Sequence, residues 1–488
     1  MVLFVVLSQL LSSKMTGENK MFEGKSDIGK INIHGDIKYC ADNKIEITGS
    51  GENIWGKEDA FFYAWNKVEG DLSLSMEFQW IGTGKHEHRK AGWMIRAGLE
   101  PDDAYVDALI HGDGLISMQY RMEKGGDTYE LQSSIRGQYP LILERTGDQF
   151  TLYVDKGEGK IHPAGTITIE LRGVIYAGLA VTSHDSTTSE TASFTNVVMN
   201  KLGKVEDSNR IVESTLEIIE IETGLRTIVR KSKEHFEAPN WSPDGKTLIY
   251  NSGGKIFYLP AEGGSPKQMN TDFADRCNND HGISPDGKEF VISNHDEDGK
   301  SMIYILPIEG GKPRLITEKG PSYWHGWSPD GTTLAYCAER NNNYDVYTIP
   351  IEGGGETRLT FAEGLDDGPD YSPDGKYIYF NSVRSGQMKI WRMKADGSEQ
   401  IQYTPTDNYG DWFAHPSPDN KWIVFVSYDK NVEGHPANKN VLIRMMSTEG
   451  GEVKTLATLF GGQGTINVPS WAPDSKRFAF VSYRLVNP

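Results

Sequence analysis

At 488 residues the chain is longer than one ordinary domain, and its 53 glycines and 37% hydrophobic content suit a large protein rich in turns. A formal charge of −18 argues against a duplex nucleic-acid partner and against an anionic lipid surface, because both are held through Lys and Arg. Cys40, Cys277 and Cys337 have no close spacing, so they frame neither a disulfide scaffold nor a zinc ribbon and read as isolated buried thiols.

Residues 1–21 read as a signal or disordered leader. The apolar run Met1 to Leu11 suits a signal-peptide core and is too short to span a bilayer. Export would place the protein in the periplasm or outside the cell. Met15 and Met21 are alternative starts, and either would leave the protein in the cytoplasm. No other segment is apolar enough for a membrane span.

Residues 22–202 alternate apolar and polar positions in short runs, such as Leu72 to Phe78, Ala91 to Arg96 and Phe150 to Val154. Period-2 alternation broken by Gly, Asp and Asn predicts an all-β sandwich. The stretches Ile47 to Gly51, Ile54-Trp55-Gly56, Lys90 to Arg96, Leu143 to Asp148 and Tyr176 to His184 resemble concanavalin A-like, laminin-G-like sandwiches. That resemblance implies carbohydrate binding or an accessory role beside a catalytic module. Alternation sets Arg96 on one strand face, and Gln119 with Arg121 on another. Coincidence of those faces would make a polar patch able to bind sugar hydroxyls or a carboxylate; a set of structural salt bridges is the competing reading. His86-Glu87-His88 looks like a metal pair, but its charged surroundings read as a solvated loop.

Residues 203–213 are polar and of mixed charge, as in a linker. From 214 to 488 one motif organises the chain. Close copies of Trp241-Ser242-Pro243-Asp244-Gly245 recur, with prolines at 285, 329, 373, 418 and 473. A period of roughly 40–45 residues marks a β-propeller blade. Two strands, 216–221 and 225–229, precede the first motif, and the last copy lacks outer strands. Joining the two ends gives six blades and closes the ring.

These repeats resemble the TolB-like propeller, which is specific for architecture and nearly silent on activity. Authentic TolB of the Tol–Pal system carries a different N-terminal domain. Prolyl-oligopeptidase-type enzymes need a Gly-x-Ser-x-Gly hydrolase domain that is missing here.

Segments entering each inner strand should line one mouth of the propeller. They carry Asn279, Asp280 and His281; Tyr323, Trp324 and His325; Asp367 and Asp370; and Asp411, Trp412 and His415. His281 and His325 share one slot, three before the motif serine. The excursion 428–440 adds His435. Three chemistries compete. His281, His325 and His415 with Asp367 and Asp370 would hold a divalent metal such as manganese, calcium or zinc. A histidine would act as base on a uronic acid, as in oligogalacturonate lyases, whose His-rich mouths are similar although their motifs are not matched. The third is a satisfied hydrogen-bond network offering Tyr323, Trp324 and Trp412 to a sugar ring. The expectation is an exported carbohydrate-directed protein, a metal-assisted polysaccharide lyase or glycoside-processing enzyme. The alternative is a non-catalytic scaffold binding glycan or an envelope protein.

Overall fold

The computed structural model describes residues 20–157, 160–205 and 207–488. The expected leader falls on residues 1–19, outside the described residues, apart from its last two positions. Regular structure among the described residues is β throughout, apart from one 3-10 turn at Asp207–Asn209. No helix among them is long and apolar enough to cross a membrane. Contacts divide the chain into two compact units, one reaching to Asp148 and including Ile169–Lys204, the other comprising Gln149–Thr168 and Val205–Pro488.

The first unit is sandwich-like. One sheet runs, in spatial order, Gly24–Ile28, Phe61–Val68, Ile175–Thr182, Lys90–Arg96, Tyr105–His111, Leu115–Arg121 and Thr128–Arg136. Facing it are Leu141–Thr146, Asp71–Ile81, Asp185–Gly203, Ile45–Gly51 and Asp36–Tyr39. The strand Asp71–Ile81 shows why it forms: Leu72, Leu74, Met76, Phe78 and Trp80 are all buried, while alternate residues face out. Central strands of the first sheet differ. Lys90–Arg96 and Tyr105–His111 are buried at every position, so their outer face is also covered. Ile28, Ile54, Phe61, Tyr63, Met94, Tyr105 and Leu109 form a second apolar layer there.

The second unit is a six-bladed propeller. Five blades are four-stranded sheets. The sixth joins both ends of the domain: Ile211–Glu220 pairs antiparallel with Arg477–Val486, and Arg226–Ser232 lies outside it. Trp471 bridges Phe478 as the remnant of its inner strand.

The repeated motif acts as local punctuation. In blade one Ser242 Oγ donates to Asp244 Oδ1 at 2.6 Å and accepts the Thr247 N–H at 3.0 Å, while Asp244 accepts the Lys246 N–H. Gly245 at φ +70° completes the turn in a region that L side chains rarely adopt. The same bonds recur at Ser284, Ser328, Ser372 and Ser417.

Each of the five inner strands also slips register just before its motif. The slips lie between Glu237 and Asn240, Cys277 and His281, Trp324 and Gly326, Asp367 and Asp370, and Trp412 and His415. A bulge leaves residues unpaired and re-aims their side chains. At the propeller mouth this decides which side chains reach the cavity.

Candidate functional site

A cavity of about 480 Å3 opens at the mouth. Its walls come from mouth segments of several blades: Asn278, Asn279 and Asp280; Tyr323 and His325; Asp367; Phe413; His435; and Gln463 and Asn467. His295, Cys337, Tyr344 and Leu365 complete the lining.

At its centre His325 Nε2 lies 3.1 Å from Asp367 Oδ1, both side chains being almost wholly buried. Asp367 Oδ1 also accepts the Gly368 N–H at 2.7 Å. Gly368 stands at φ +60°, and a Cβ there would meet Asn381 Oδ1 at 2.5 Å and Phe413 at 2.9 Å. Only glycine lets the chain turn so that its own amide faces the preceding carboxylate. Burial works against the Asp367 charge, but His325, its hydrogen bond, His435 and the Gly368 amide together pull the carboxyl down to about 2. Burial likewise opposes the charge on His325, yet Asp367 and Asp280 hold its pKa above the ordinary value. Asp367 is therefore charged near neutral pH, and its contact favours the protonated form of His325.

Asp280 behaves oppositely. Burial pushes its carboxyl up to about 7, and Asp367 and Glu237 add to the rise against the opposing pull of His325. One acid is thus held charged and a second near its midpoint at neutral pH, a division of labour suited to proton transfer. Asn279 Nδ2 donates to Glu237 Oε2 at 3.2 Å, tying the Asp280 segment to blade one.

His435 comes from the long excursion of blade five. Its ring packs 4.4 Å from Trp412 and 5.1 Å from Phe413, and Nε2 lies 3.9 Å from Asp367 Oδ2. Its Nδ1 bonds Gln463 Oε1, which also accepts from Asn467 Nδ2 at 3.1 Å.

Several expected site residues are elsewhere. His281 is fully buried, with Nδ1 2.6 Å from Asn240 Oδ1, and burial drives its pKa down to about 3. It is a neutral strut, although it shares its sequence slot with His325. The bulge explains the difference: His281 has already resumed ladder pairing with Ile292, whereas His325 is the unpaired residue of its own bulge. His415 is also past its bulge, paired with Val424. Its Nδ1 meets Asp370 Oδ2 at 3.0 Å and its Nε2 meets the Ile466 carbonyl at 2.7 Å, so both nitrogens and Asp370 are spent on framework bonds. Asp411 is buried among Lys389, Ser427 and Arg444. Trp324 is packed in the blade core, and Trp412 backs His435 rather than facing the cavity. In the N-terminal unit Arg96 and Arg121 are fully buried on one carboxylate: Arg96 Nη1 lies 2.7 Å from Asp59 Oδ2 and Arg121 Nη2 2.8 Å from Asp59 Oδ1. The two faces coincide on Asp59, which is the structural salt-bridge reading of these arginines rather than a ligand patch.

The expected metal set His281, His325, Asp367, Asp370 and His415 is not brought to one point. Among the described residues no group of three or more His, Cys, Asp or Glu side chains is arranged to hold a metal ion. His325, Asp367 and His435 meet in pairs around one carboxylate, so these residues do not fit a resident metal. Replacing His281 with alanine is expected to lower stability by about 2–4 kcal/mol, through a cavity and an orphaned Asn240. Binding at the mouth should stay unchanged, as thermal melts beside ligand titrations will read.

Sequence reasoning missed Gln463, Tyr344, His295 and Cys337. The glycine-rich stretch 461–464 was the available signal for Gln463, since such turns let the backbone approach a site closely.

The TolB beta propeller domain model matches residues 324–483. The uncharacterized protein Atu1656 of Agrobacterium fabrum is 54% identical over 273 residues, covering 56% of this chain and 93% of that protein. A solved structure from Agrobacterium tumefaciens bearing the TolB name is 54% identical, with a TM-score of 0.55 over 56% of this chain and 99% of that one. The solved TolB of Acinetobacter baumannii is more distant, at 18% identity and a TM-score of 0.39 over 64% of this chain and 80% of its own. A match that takes up 93% of Atu1656 with 56% of this chain leaves that relative no room for a second domain of this size. Six blades, the repeated motif and this coverage agree: the chain belongs to the TolB-like β-propeller family.

Proposed function

We propose that the propeller mouth is the active site for a neutral, hydroxyl-rich small molecule of the carbohydrate class, with Asp280 as proton donor and acceptor. The observation that carries this reading is the pair of acids with separated proton affinities, Asp280 near 7 and Asp367 near 2, in one cavity of small-molecule size. Amide side chains of Asn278, Asn279, Gln463 and Asn467 supply both donors and acceptors, as hydroxyl recognition needs. Tyr323, Tyr344 and Phe413 supply ring faces.

The lining favours a neutral ligand over a uronate. None of the lining residues is Lys or Arg, while two are aspartates. A sugar carboxylate would face Asp367 without a side-chain cation free to neutralise it. The hydrogen-bonded His325–Asp367 pair serves as a fixed polar group beside the reacting centre, and Asp280 moves the proton.

Calorimetric titration of neutral and uronate oligosaccharides tests this. Neutral sugars should bind, uronates should bind more weakly, and Asp367→Asn should weaken binding about tenfold or more. Preference for uronates, or binding indifferent to Asp367, would overturn the reading.

A further inference from the structure

The buried acids of the propeller divide by what they face. Glu217 meets Arg226, Asp345 meets Arg358, Asp366 meets Arg384, and Asp411 meets Lys389 and Arg444, all at 2.6–3.2 Å. Asp367 and Asp370 each meet a histidine, at 3.1 and 3.0 Å. Asp280 is the remaining one. It is 5% exposed, lines the mouth cavity, and forms no ion pair among the described residues.

What surrounds Asp280 sharpens the contrast. Asn278 is its hydrogen-bonding side-chain neighbour, and the charged groups acting on it are His325, Asp367 and Glu237. Tyr323 and Cys337 are near enough for its charge to oppose their ionisation. His325 is already turned to Asp367, with Nε2 on Oδ1. Glu237 repeats the pattern at lower burial. Its Oε2 accepts from Asn279 Nδ2 at 3.2 Å, and the basic group beside it is the exposed His235, with Nε2 3.7 Å away. Two acids thus share one wall of the mouth without a lysine or arginine against either.

A buried carboxylate without a counter-charge is costly, and the fold meets that cost elsewhere with a basic side chain. At Asp280 the position is left to a proton or to a ligand. An ammonium group supplies both the missing charge and up to three hydrogen-bond donors. The rings of Tyr323, Tyr344 and Phe413 line the same cavity, and aromatic faces attract cations.

We propose that, among the hydroxyl-rich rings the mouth accepts, those bearing a protonated amine are held most tightly, with the ammonium seated against Asp280. This rests on the carbohydrate reading of the cavity and adds the charge its best ligand carries. The order of affinity becomes cationic ring, then neutral ring, then uronate.

Binding is coupled to the Asp280 proton. Burial and the two neighbouring acids keep that proton in place up to about pH 7. An ammonium arriving beside the carboxyl displaces it. At roughly pH 6 the amine is charged and Asp280 mostly protonated, so each amine bound should release about one proton. A neutral ring should release almost none.

Calorimetry of the full chain at that pH, in two buffers of different ionisation enthalpy, tests this. The probes are aminodeoxy hexoses and hydroxylated piperidines, their N-acetylated forms, and the parent neutral rings. N-acetylation removes the charge and keeps the ring. The best amine should bind about tenfold or more tightly than its N-acetylated and parent forms, with the expected proton release. Asp280→Asn, with unchanged circular dichroism, should bring the three forms to within about twofold and abolish the release. Neutral rings that bind with no amine preference would overturn this inference and leave the carbohydrate reading standing. A preference that survives Asp280→Asn would overturn it as well. Failure of every ring to bind would overturn both.

Discussion

Replacing Asp59 with alanine should open the N-terminal sheet. Hydrogen-exchange protection in Lys90–Arg96 and Leu115–Arg121 is expected to fall by roughly two to three orders of magnitude. The cause is a single carboxylate shared by two guanidinium groups, all three side chains having no solvent exposure. Removing it strands two buried positive charges, which costs about 3–5 kcal/mol in comparable pairs. Exchange is the right readout because it reports the affected strands directly, whereas a whole-chain melt averages two compact units. A companion variant separates charge from shape. Asp59→Leu with Arg96→Met and Arg121→Met removes the charges together, and should recover part of the loss. Recovery stays incomplete because Arg121 also donates to the Gly56, Pro101, Asp103 and Gly126 carbonyls. Protection unchanged in Asp59→Ala would show that the cluster contributes little.

The second large effect concerns Asp280→Asn. Activity on the neutral glycan should drop by roughly 10²–10⁴-fold, the usual contribution of a positioned acid or base. The wild-type rate should decline on the alkaline side near pH 7, as the Asp280 proton leaves. The asparagine variant should lack that limb. In His325→Gln the limb should move to higher pH, because the imidazolium pulls the Asp280 pKa down. Stability supplies an independent check. The folded-state pKa is raised above the unfolded value of 3.8. The contribution from this group is therefore fully present below about pH 4 and lost as pH rises to 7, by about 4 kcal/mol. Asp280→Asn should flatten that slope and be the more stable protein above pH 7. A slope identical in both proteins would remove Asp280 from the argument.

Much of the architecture was legible before any coordinates, because its signals are local. A Ser-Pro-Asp-Gly turn forms its own hydrogen bonds within a few residues, so four such copies and two close variants, Ser417-Pro418-Asp419-Asn420 and Ala472-Pro473-Asp474-Ser475, count six blades. Strand alternation gave the face of each strand that Arg96 and Arg121 occupy, and the structure brings both guanidinium groups onto Asp59. What covers that face is a tertiary matter: the segment carrying Ile54 and Asp59 folds over it from a distant part of the chain, and nothing in the alternation announces that. The mouth divides similarly. Counting back from the serine found Asn279, Asp280, Tyr323, His325 and Asp367, all of which line the cavity. The same count found His281, which does not. The two histidines differ in where the ladder resumes after a bulge, a property of cross-strand register rather than of sequence slot.

The way the ring is sealed sets a timetable for synthesis. Ile219 pairs with Phe478, near the opposite end of the domain. At roughly 5–20 residues per second, the partner of the first propeller strand emerges only on the order of tens of seconds later. Throughout that interval Leu216, Ile218 and Ile219, buried in the finished protein, have only Arg226–Ser232 beside them and lack the strand on their other edge. Blades one to five can form in order behind them, each from contiguous chain. The earliest strand of the propeller is thus among the last to find its place, and slowing translation past Arg477 would prolong its exposure to other nascent chains.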